Sequence, residues 1–336
     1  MRTRALYGCS GPALTAEERA FFAAARPWGF ILFGRNIVDP SQLGQLTDSL
    51  RETLGDAGAP ILIDQEGGRV ARLKPPSWPE RPAAGRFGAL YATAPEEARE
   101  AAYLNARLMA ADLADVGIDV DCTPVLDLPG EGADPVIGDR SFGSDPIAAV
   151  ALGRAVMDGL IDGGVLPVLK HIPGHGRATA DSHASLPRVA ASAEVLSASD
   201  FVPFRSLNQC PLAMTAHIVF EAIDPQRPAT TSPKVIRDIV RGEIGFDGLL
   251  LSDDISMGAL SGPISSRVKA ALFAGCDLVL HCNGAMDEMQ AVASAASALE
   301  GASLRRAEQA LARRIPAVAF DRESAENRLA ALMRQS

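Results

Sequence analysis

The segment KHIPGHGRATADSHASLP, residues 170–187, carries the densest group of titratable side chains in the chain. It contains three of the five histidines, at positions 171, 175 and 183, together with Lys170 and Asp181. Such a group can hold a metal ion, transfer a proton, or form a hydrogen-bonded loop. The spacing of these residues helps to choose between the three.

A metal site would use His171 and His175, which face one ion when they lie four residues apart on a helix. Pro173, Gly174 and Gly176 interrupt this segment, and both residue types disfavour a helix. We therefore expect no metal and no cofactor. A metal-dependent barrel hydrolase stays as the alternative from another class of enzyme.

Asp181 and His183 are spaced for proton transfer. In an extended loop, residues i and i+2 project to the same side, so the carboxylate can accept a hydrogen bond from one imidazole nitrogen. This fixes the tautomer and leaves the other nitrogen free to exchange a proton. An Asp-Ser turn explains the same residues without any catalysis, and by itself the turn is the simpler interpretation.

Two adjacent acids, Asp253 and Asp254, follow the apolar run GLLLS. Neighbouring carboxylates raise one another's pKa unless cations or hydrogen-bond donors offset the effect. A helix N-cap is the alternative, but serine would serve that purpose without a charge pair. We favour a functional pair, with one side chain directed into a site and the other turned aside.

Arg72, Arg140 and Lys170 can supply directional hydrogen-bond donors. Asp64 stands close to Arg72 in the sequence. Arginine and lysine at one site suit hydroxyls, a carboxylate or a phosphate. Surface salt bridges are the ordinary alternative for such charges.

Eight short apolar runs alternate with helical patterns. They are RALYGC, GFILFGRN, PILIDQEGG, GIDVDCTPVLDL, LPVLKHIPG, PLAMTAHIV, FDGLLLSDDIS and CDLVLHCN. Nearly continuous Val, Ile and Leu favours parallel strands that are buried on both faces. A capping box at Thr15 and Glu18 starts the first helix.

This alternation predicts an α/β fold, a (β/α)8 TIM barrel formed by residues 1–336 as a single domain with appended C-terminal helices. The phosphate-binding motifs of a doubly wound sheet are missing. Catalytic groups of a barrel stand at the C-terminal ends of its strands, so polar residues at the ends of separate runs should meet at one mouth.

Composition limits the class of partner. The chain has 336 residues and a net charge of 32 − 41 = −9, without a basic stripe, which disfavours nucleic acid. No run resembles a signal peptide or reaches the ~18 apolar residues of a membrane helix. The five cysteines are scattered, as in a reducing compartment. We expect a cytoplasmic monomer that acts on a small molecule.

Five motifs, in this order along the chain, resemble glycoside hydrolase family 3, in particular its single-domain bacterial β-N-acetylglucosaminidases. They are DQEGGRV (64–70), GDRSFG (138–143), KHIPGHG (170–176), DSH (181–183) and SDDISM (252–257). One small departure is Ile172, at a position where the family often has an aromatic residue.

The resemblance implies a TIM barrel that removes terminal β-linked N-acetylglucosamine with retention of anomeric configuration. It implies that Asp253 is the nucleophile and that His183 is the general acid/base, oriented by Asp181. The residues that it implies for holding the sugar are Asp64, Arg72, Arg140, Lys170 and His171. The implied substrates are cytoplasmic muropeptide fragments that contain GlcNAc-1,6-anhydro-MurNAc.

Three alternative functions within the same family stay open. A neutral imidazole does not repel phosphate, so a β-N-acetylglucosaminide phosphorylase is one alternative. A β-glucosidase of the same family and a non-catalytic sugar-binding relative are the others. We also expect the segment that carries His183, which is rich in Gly and Ala, to move towards bound sugar.

Overall fold

A closed barrel of eight parallel strands forms the centre of the computed structural model, which describes residues 1–182 and 185–334. In chain order the strands are β1 (Thr3–Tyr7), β2 (Pro27–Leu32), β3 (Ile61–Ile63), β4 (Val120–Asp121), β5 (Leu166–Ile172), β6 (Arg188–Val189), β7 (Leu212–Thr215), β8 (Val219–Phe220), β9 (Leu249–Asp254) and β10 (Leu278–His281). All except β6 and β8 belong to the barrel, which closes where β1 pairs with β10. The (β/α)8 prediction is confirmed, and each predicted apolar run contains one barrel strand.

Helices surround the barrel. They are α1 (Ala16–Ala25), α2 (Pro40–Leu54), α3 (Ala84–Tyr91), α4 (Pro95–Ala114), α5 (Pro146–Asp162), α6 (Ala193–Ala198), α7 (Phe201–Ser206), a π-helix (Val235–Glu243), α8 (Ile264–Ala274), α9 (Met286–Ala295), α10 (Gly301–Ala312) and α11 (Arg322–Met333). Helices α10 and α11 are the appended C-terminal helices that the sequence predicts. Within the described ranges, none of these helices combines the length and the apolar character needed to cross a membrane.

Local sequence signals account for several helix boundaries. Thr15 Oγ1 accepts a hydrogen bond from the Glu18 backbone N–H at 3.1 Å, and the Glu18 carboxylate accepts one from Thr15 N–H at 2.9 Å. This is the predicted capping box, which satisfies two N–H groups at the start of α1. Helix α2 ends at Gly55, which adopts φ 61°, a backbone conformation that favours glycine.

The barrel strands are buried on both faces. One apolar cluster fills the barrel interior and includes Leu6, Ile31, Leu62, Val168 and Leu251. A larger cluster packs between the strands and the helices. Because the interior is filled with side chains, polar chemistry is left to the ends of the strands and the loops that follow them.

Candidate active site

A cavity of about 260 Å³ opens at the C-terminal ends of the barrel strands. Its wall contains six of the sequence-predicted site residues: Asp64, Arg72, Arg140, Lys170, His171 and Asp253. Ser182, which follows Asp181 in the chain, also lines it. The predicted acid/base His183 lies outside the described residues. The convergence of these predicted residues at one mouth is therefore observed for the six that line the cavity.

Five charged side chains form one ion-pair network in this cavity. Lys170 Nζ lies 2.8 Å from Asp64 Oδ1 and 2.6 Å from Glu66 Oε1. Arg140 binds the Glu66 carboxylate through two nitrogens, at 2.8 and 2.9 Å, and Arg72 Nη2 lies 3.2 Å from Asp64 Oδ2. Glu66 thus joins Lys170 to Arg140, a role that its position in the DQEGGRV motif did not reveal.

The network keeps its acids ionised. Burial alone would raise the pKa of the Asp64 and Glu66 carboxyls, but the neighbouring Lys170, with Arg72 or Arg140, lowers both below their usual values. Burial would likewise lower the pKa of the Lys170 ammonium, and the two carboxylates raise it instead. The site therefore offers fixed acceptors and fixed donors side by side, as recognition of sugar hydroxyls requires.

Asp127, at the end of the apolar run that contains β4, orients His171. Its Oδ2 lies 2.7 Å from His171 Nδ1, and its Oδ1 accepts the backbone N–H groups of His171 at 3.1 Å and His175 at 2.7 Å. Burial would raise the pKa of this carboxyl, but His171 lowers it to about 2. Because an ionised carboxylate only accepts hydrogen bonds, we assign the proton to His171 Nδ1.

The two adjacent acids have different environments. Asp254 accepts hydrogen bonds from Ser256 N–H at 3.0 Å, from the Ser256 hydroxyl at 2.8 Å and from Cys282 N–H at 3.2 Å. Asp253 accepts one from Asp254 N–H at 2.7 Å. Asp254 therefore fixes the turn after β9 and does not cap a helix, since the next helix, α8, begins at Ile264. Both acids line the cavity, so the expectation that one of them turns aside is wrong.

The Asp253 carboxyl is ionised despite its position. Burial would raise its pKa, but His217, His171, the Asp254 backbone N–H and Lys170 together lower it below the usual value. An ionised carboxylate in an otherwise enclosed site is the form that a nucleophile needs.

His217 hydrogen-bonds to the end of strand β9. Its Nε2 lies 3.0 Å from the Asp254 carbonyl oxygen, and its Nδ1 lies 2.7 Å from Thr230 Oγ1. Burial lowers the pKa of His217, so the ring is neutral. The carbonyl only accepts, so Nε2 carries the proton and the Thr230 hydroxyl donates to Nδ1. His217 is therefore a hydrogen-bonded structural histidine.

Among residues 1–182 and 185–334, no three His, Cys, Asp or Glu side chains are grouped so that they could hold a metal ion. Five charged side chains of the cavity, those of the ion-pair network, are paired with one another. The site as described consists of protein acids, bases and hydrogen-bond donors.

Known proteins are similar to this chain in sequence and in fold. The family model described as the glycosyl hydrolase family 3 N-terminal domain matches residues 12–316. A β-hexosaminidase from Alkalilimnicola ehrlichii is 43% identical over 282 residues, which cover 83% of this chain and 80% of that protein. A β-hexosaminidase from Thiobacillus denitrificans is 40% identical over 280 residues, covering 82% and 76%.

A solved structure agrees over almost the whole chain. NagZ from Neisseria gonorrhoeae, crystallised in complex with N-trifluoroacetyl-D-glucosamine, superposes with a TM-score of 0.89 at 32% identity, and covers 99% of this chain and 98% of that one. The barrel, its acidic mouth and these relatives define a glycoside hydrolase. The chain belongs to glycosyl hydrolase family 3, so the predicted family, fold and enzyme class are confirmed.

Proposed function

We propose that this enzyme is a retaining exo-β-N-acetylglucosaminidase that works through a covalent glycosyl-enzyme intermediate. The observation that carries the proposal is the ionised Asp253 carboxylate, which shares one cavity with the ion-pair network of Asp64, Glu66 and Lys170. The β-hexosaminidase relatives, and a NagZ structure that holds an N-acylated glucosamine, support the choice of sugar.

In the first step, an Asp253 carboxylate oxygen attacks the anomeric carbon, and the bond from that carbon to the aglycone oxygen breaks. The departing oxygen takes a proton from the imidazolium of His183. In the second step, the neutral imidazole removes a proton from water, whose oxygen attacks the same carbon and releases Asp253. Two inversions give net retention.

The proton-transfer roles of His183 and Asp181 come from the family resemblance. A histidine whose pKa lies near 6.5 exchanges protons near neutrality without large tuning. An acid/base group of this kind contributes roughly 10²–10⁴ in rate. Asp181 is proposed to orient the imidazole by accepting a hydrogen bond from one ring nitrogen.

The sugar is proposed to bind through its hydroxyl groups. Asp64 supplies an ionised acceptor, and Lys170, Arg72 and Arg140 supply directional donors. His171, whose Nδ1 contacts Asp127, leaves Nε2 to hydrogen-bond with the sugar. The cavity of about 260 Å³ is smaller than the ~300–1,000 Å³ typical of drug-sized ligand sites, which favours a single terminal sugar ring.

The proposed substrates are muropeptide fragments that contain GlcNAc-1,6-anhydro-MurNAc. The enzyme is proposed to act on them in the cytoplasm, as a monomer and without a cofactor. Residues 1–336 are proposed to form a single catalytic domain. The sugar specificity is tested by comparing kcat/KM for an aryl N-acetylglucosaminide with kcat/KM for the matching aryl glucoside. The aglycone specificity is tested by hydrolysis of the anhydro-disaccharide.

Trapping tests the chemistry. A 5-fluoro analogue of an activated N-acetylglucosaminide should leave a covalent adduct, which peptide mapping should assign to Asp253. Asp253→Ala should abolish turnover and labelling while the far-ultraviolet spectrum stays that of the parent. Label on another residue, or a first product with inverted configuration by NMR, would contradict the proposal.

A further inference from the structure

Ser182 is fixed at the wall of the cavity by two contacts. Its side chain is buried, with a relative exposure of 3%, and its hydroxyl oxygen lies 3.0 Å from His175 Nε2. Its carbonyl oxygen accepts a hydrogen bond from Ala259 N–H at 3.2 Å. In the sequence, Ser182 stands between Asp181 and His183, the two residues proposed for proton transfer.

His175 is itself held firmly. Its backbone N–H donates to Asp127 Oδ1 at 2.7 Å, and its ring centroid lies 5.5 Å from that of His171. Burial, followed by the charge of His171, lowers the pKa of His175 to about 4. The imidazole is therefore neutral at neutral pH and carries one ring proton.

The hydrogen-bond partners of the two ring nitrogens determine which of them carries the His175 proton. Within the described part of the chain, His175 Nδ1 is buried and has no hydrogen-bond partner. A proton on Nδ1 would leave a buried donor unsatisfied, which native structures avoid most strongly. A proton on Nε2 donates to Ser182 Oγ, so we assign it there.

We propose that His175 is a positioning residue that, through Ser182, holds the proton-transfer segment in the conformation in which Ser182 lines the cavity, while His183 can still move towards bound sugar. This inference rests on the function proposed above for Asp181 and His183. Asp127 is the common anchor, because its carboxylate accepts hydrogen bonds from both His171, which is proposed to hold the sugar, and His175. The sugar site and the proton-transfer segment are thereby fixed to a single buried carboxylate.

The segment needs such an anchor because its own sequence is permissive. The stretch GHGRATADS contains two glycines and two alanines, and few local signals restrain it. Another restraint is the hydrogen bond from Ser185 N–H to the Asp181 carbonyl at 3.0 Å. A general acid must come within hydrogen-bond reach of the departing oxygen, and a displacement of about 1 Å can cost 10²-fold in rate.

Leaving-group dependence tests the proposal. Ser182→Ala and His175→Leu remove the contact from either side, and His175→Gln keeps a donor. For each variant, kcat/KM is measured with a dinitrophenyl and with a methyl N-acetylglucosaminide, since only the methyl leaving group requires protonation. We expect Ser182→Ala and His175→Leu to lower kcat/KM by roughly 10- to 100-fold for the methyl glycoside, with little change for the dinitrophenyl glycoside.

Two further comparisons sharpen the result. The double variant should lose no more than the more damaged single variant, because both substitutions break one contact, and His175→Gln should recover part of the loss. Ser232→Ala is the matched control, since that buried hydroxyl donates to Asp224 at 2.6 Å and does not line the cavity. It should leave the leaving-group dependence unchanged.

The outcomes separate this inference from the proposed function. Equal losses on both glycosides in Ser182→Ala would overturn the positioning role, even if His175→Leu fails to fold. The parent enzyme is trapped with the fluorinated sugar in parallel. An adduct on Asp253 together with equal losses refutes only the positioning role, whereas the lack of any adduct refutes the function itself.

Discussion

Replacing Lys170 with Met removes the cation that joins Asp64 and Glu66. The Lys170 side chain is 2% exposed, and its two carboxylate partners are 17% and 3% exposed. Methionine fills a similar volume but supplies no charge and no donor. Among the described residues, the two carboxylates then keep Arg72 and Arg140 as their ion-pair partners.

The cost follows from this burial. Breaking a buried ion pair by removing one partner destabilises a protein by roughly 3–5 kcal/mol, because the remaining charge is uncompensated. At about 2.1 cal/mol/K per residue, unfolding 336 residues changes entropy by about 0.7 kcal/mol/K. The melting temperature should therefore fall by about 4–7 °C at neutral pH.

The loss of stability in Lys170→Met should be larger at neutral pH than at acidic pH. Lys170 holds the pKa of Asp64 and Glu66 below their usual values, so their stabilisation is complete above the unfolded pKa of about 4. It is lost only as the pH falls through the lower folded pKa. In Lys170→Met the burial of both acids raises their pKa, so they protonate at a higher pH than in the parent. The difference in stability between the two proteins should then shrink on acidification.

Differential scanning calorimetry at one scan rate, at pH 7 and pH 4.5, measures this difference. Lys269→Met, on the exposed face of α8, is the control and should change the melting temperature by about 1 °C or less. The reasoning is refuted if Lys170→Met is no less stable than Lys269→Met at pH 7, or if its deficit is as large at pH 4.5 as at pH 7.

Two other substitutions separate binding from stability. Asp127→Asn keeps the shape but removes the charge that accepts the His171 Nδ1–H, a hydrogen bond worth about 1.5–3 kcal/mol. Steady-state kinetics should show kcat/KM lowered by roughly 10- to 150-fold, and a change below about threefold would contradict the role of Asp127. Thr15→Ala removes the N-cap of α1 and should cost about 1 kcal/mol of unfolding free energy in urea titrations, with kcat/KM unchanged. A loss of activity there would show that α1 influences the site.

The barrel could be predicted because its signals are local. Runs such as PILIDQEGG and FDGLLLSDDIS are apolar on both faces, and each contains one barrel strand. The short helices α6 and α7, of six residues each, were not predicted, because so few residues carry no clear helical period. The segment after Ser232 forms a π-helix over Val235–Glu243, and hydrophobic spacing alone does not distinguish a π-helix from an α-helix.

The site residues could be predicted only as separate strand ends. Lys170 and Glu66 lie 104 positions apart, and Asp127 lies 44 positions from His171, so neither contact leaves a pattern in a single sequence. Nothing in the sequence shows that His175 lines the cavity and contacts Ser182. Contacts of this kind require the register of neighbouring strands, which is set by the closed barrel.

The charges of the cavity bear on how the proposed nucleophile, Asp253, is kept ionised beside the proposed sugar site. Lys170, Arg72 and Arg140 carry three positive charges, and the carboxylates of Asp64, Glu66, Asp253 and Asp254, which line the same cavity, carry four negative ones when all are ionised. Lys170 is among the groups that lower the pKa of Asp253. Under the proposed function, a neutral sugar would bind to these cations through hydrogen bonds and leave the charge of Lys170 in place, so that Asp253 stays ionised while the sugar enters. Since Lys170 is proposed both to bind a sugar hydroxyl and to keep the nucleophile ionised, its substitution should alter both substrate binding and the chemical step.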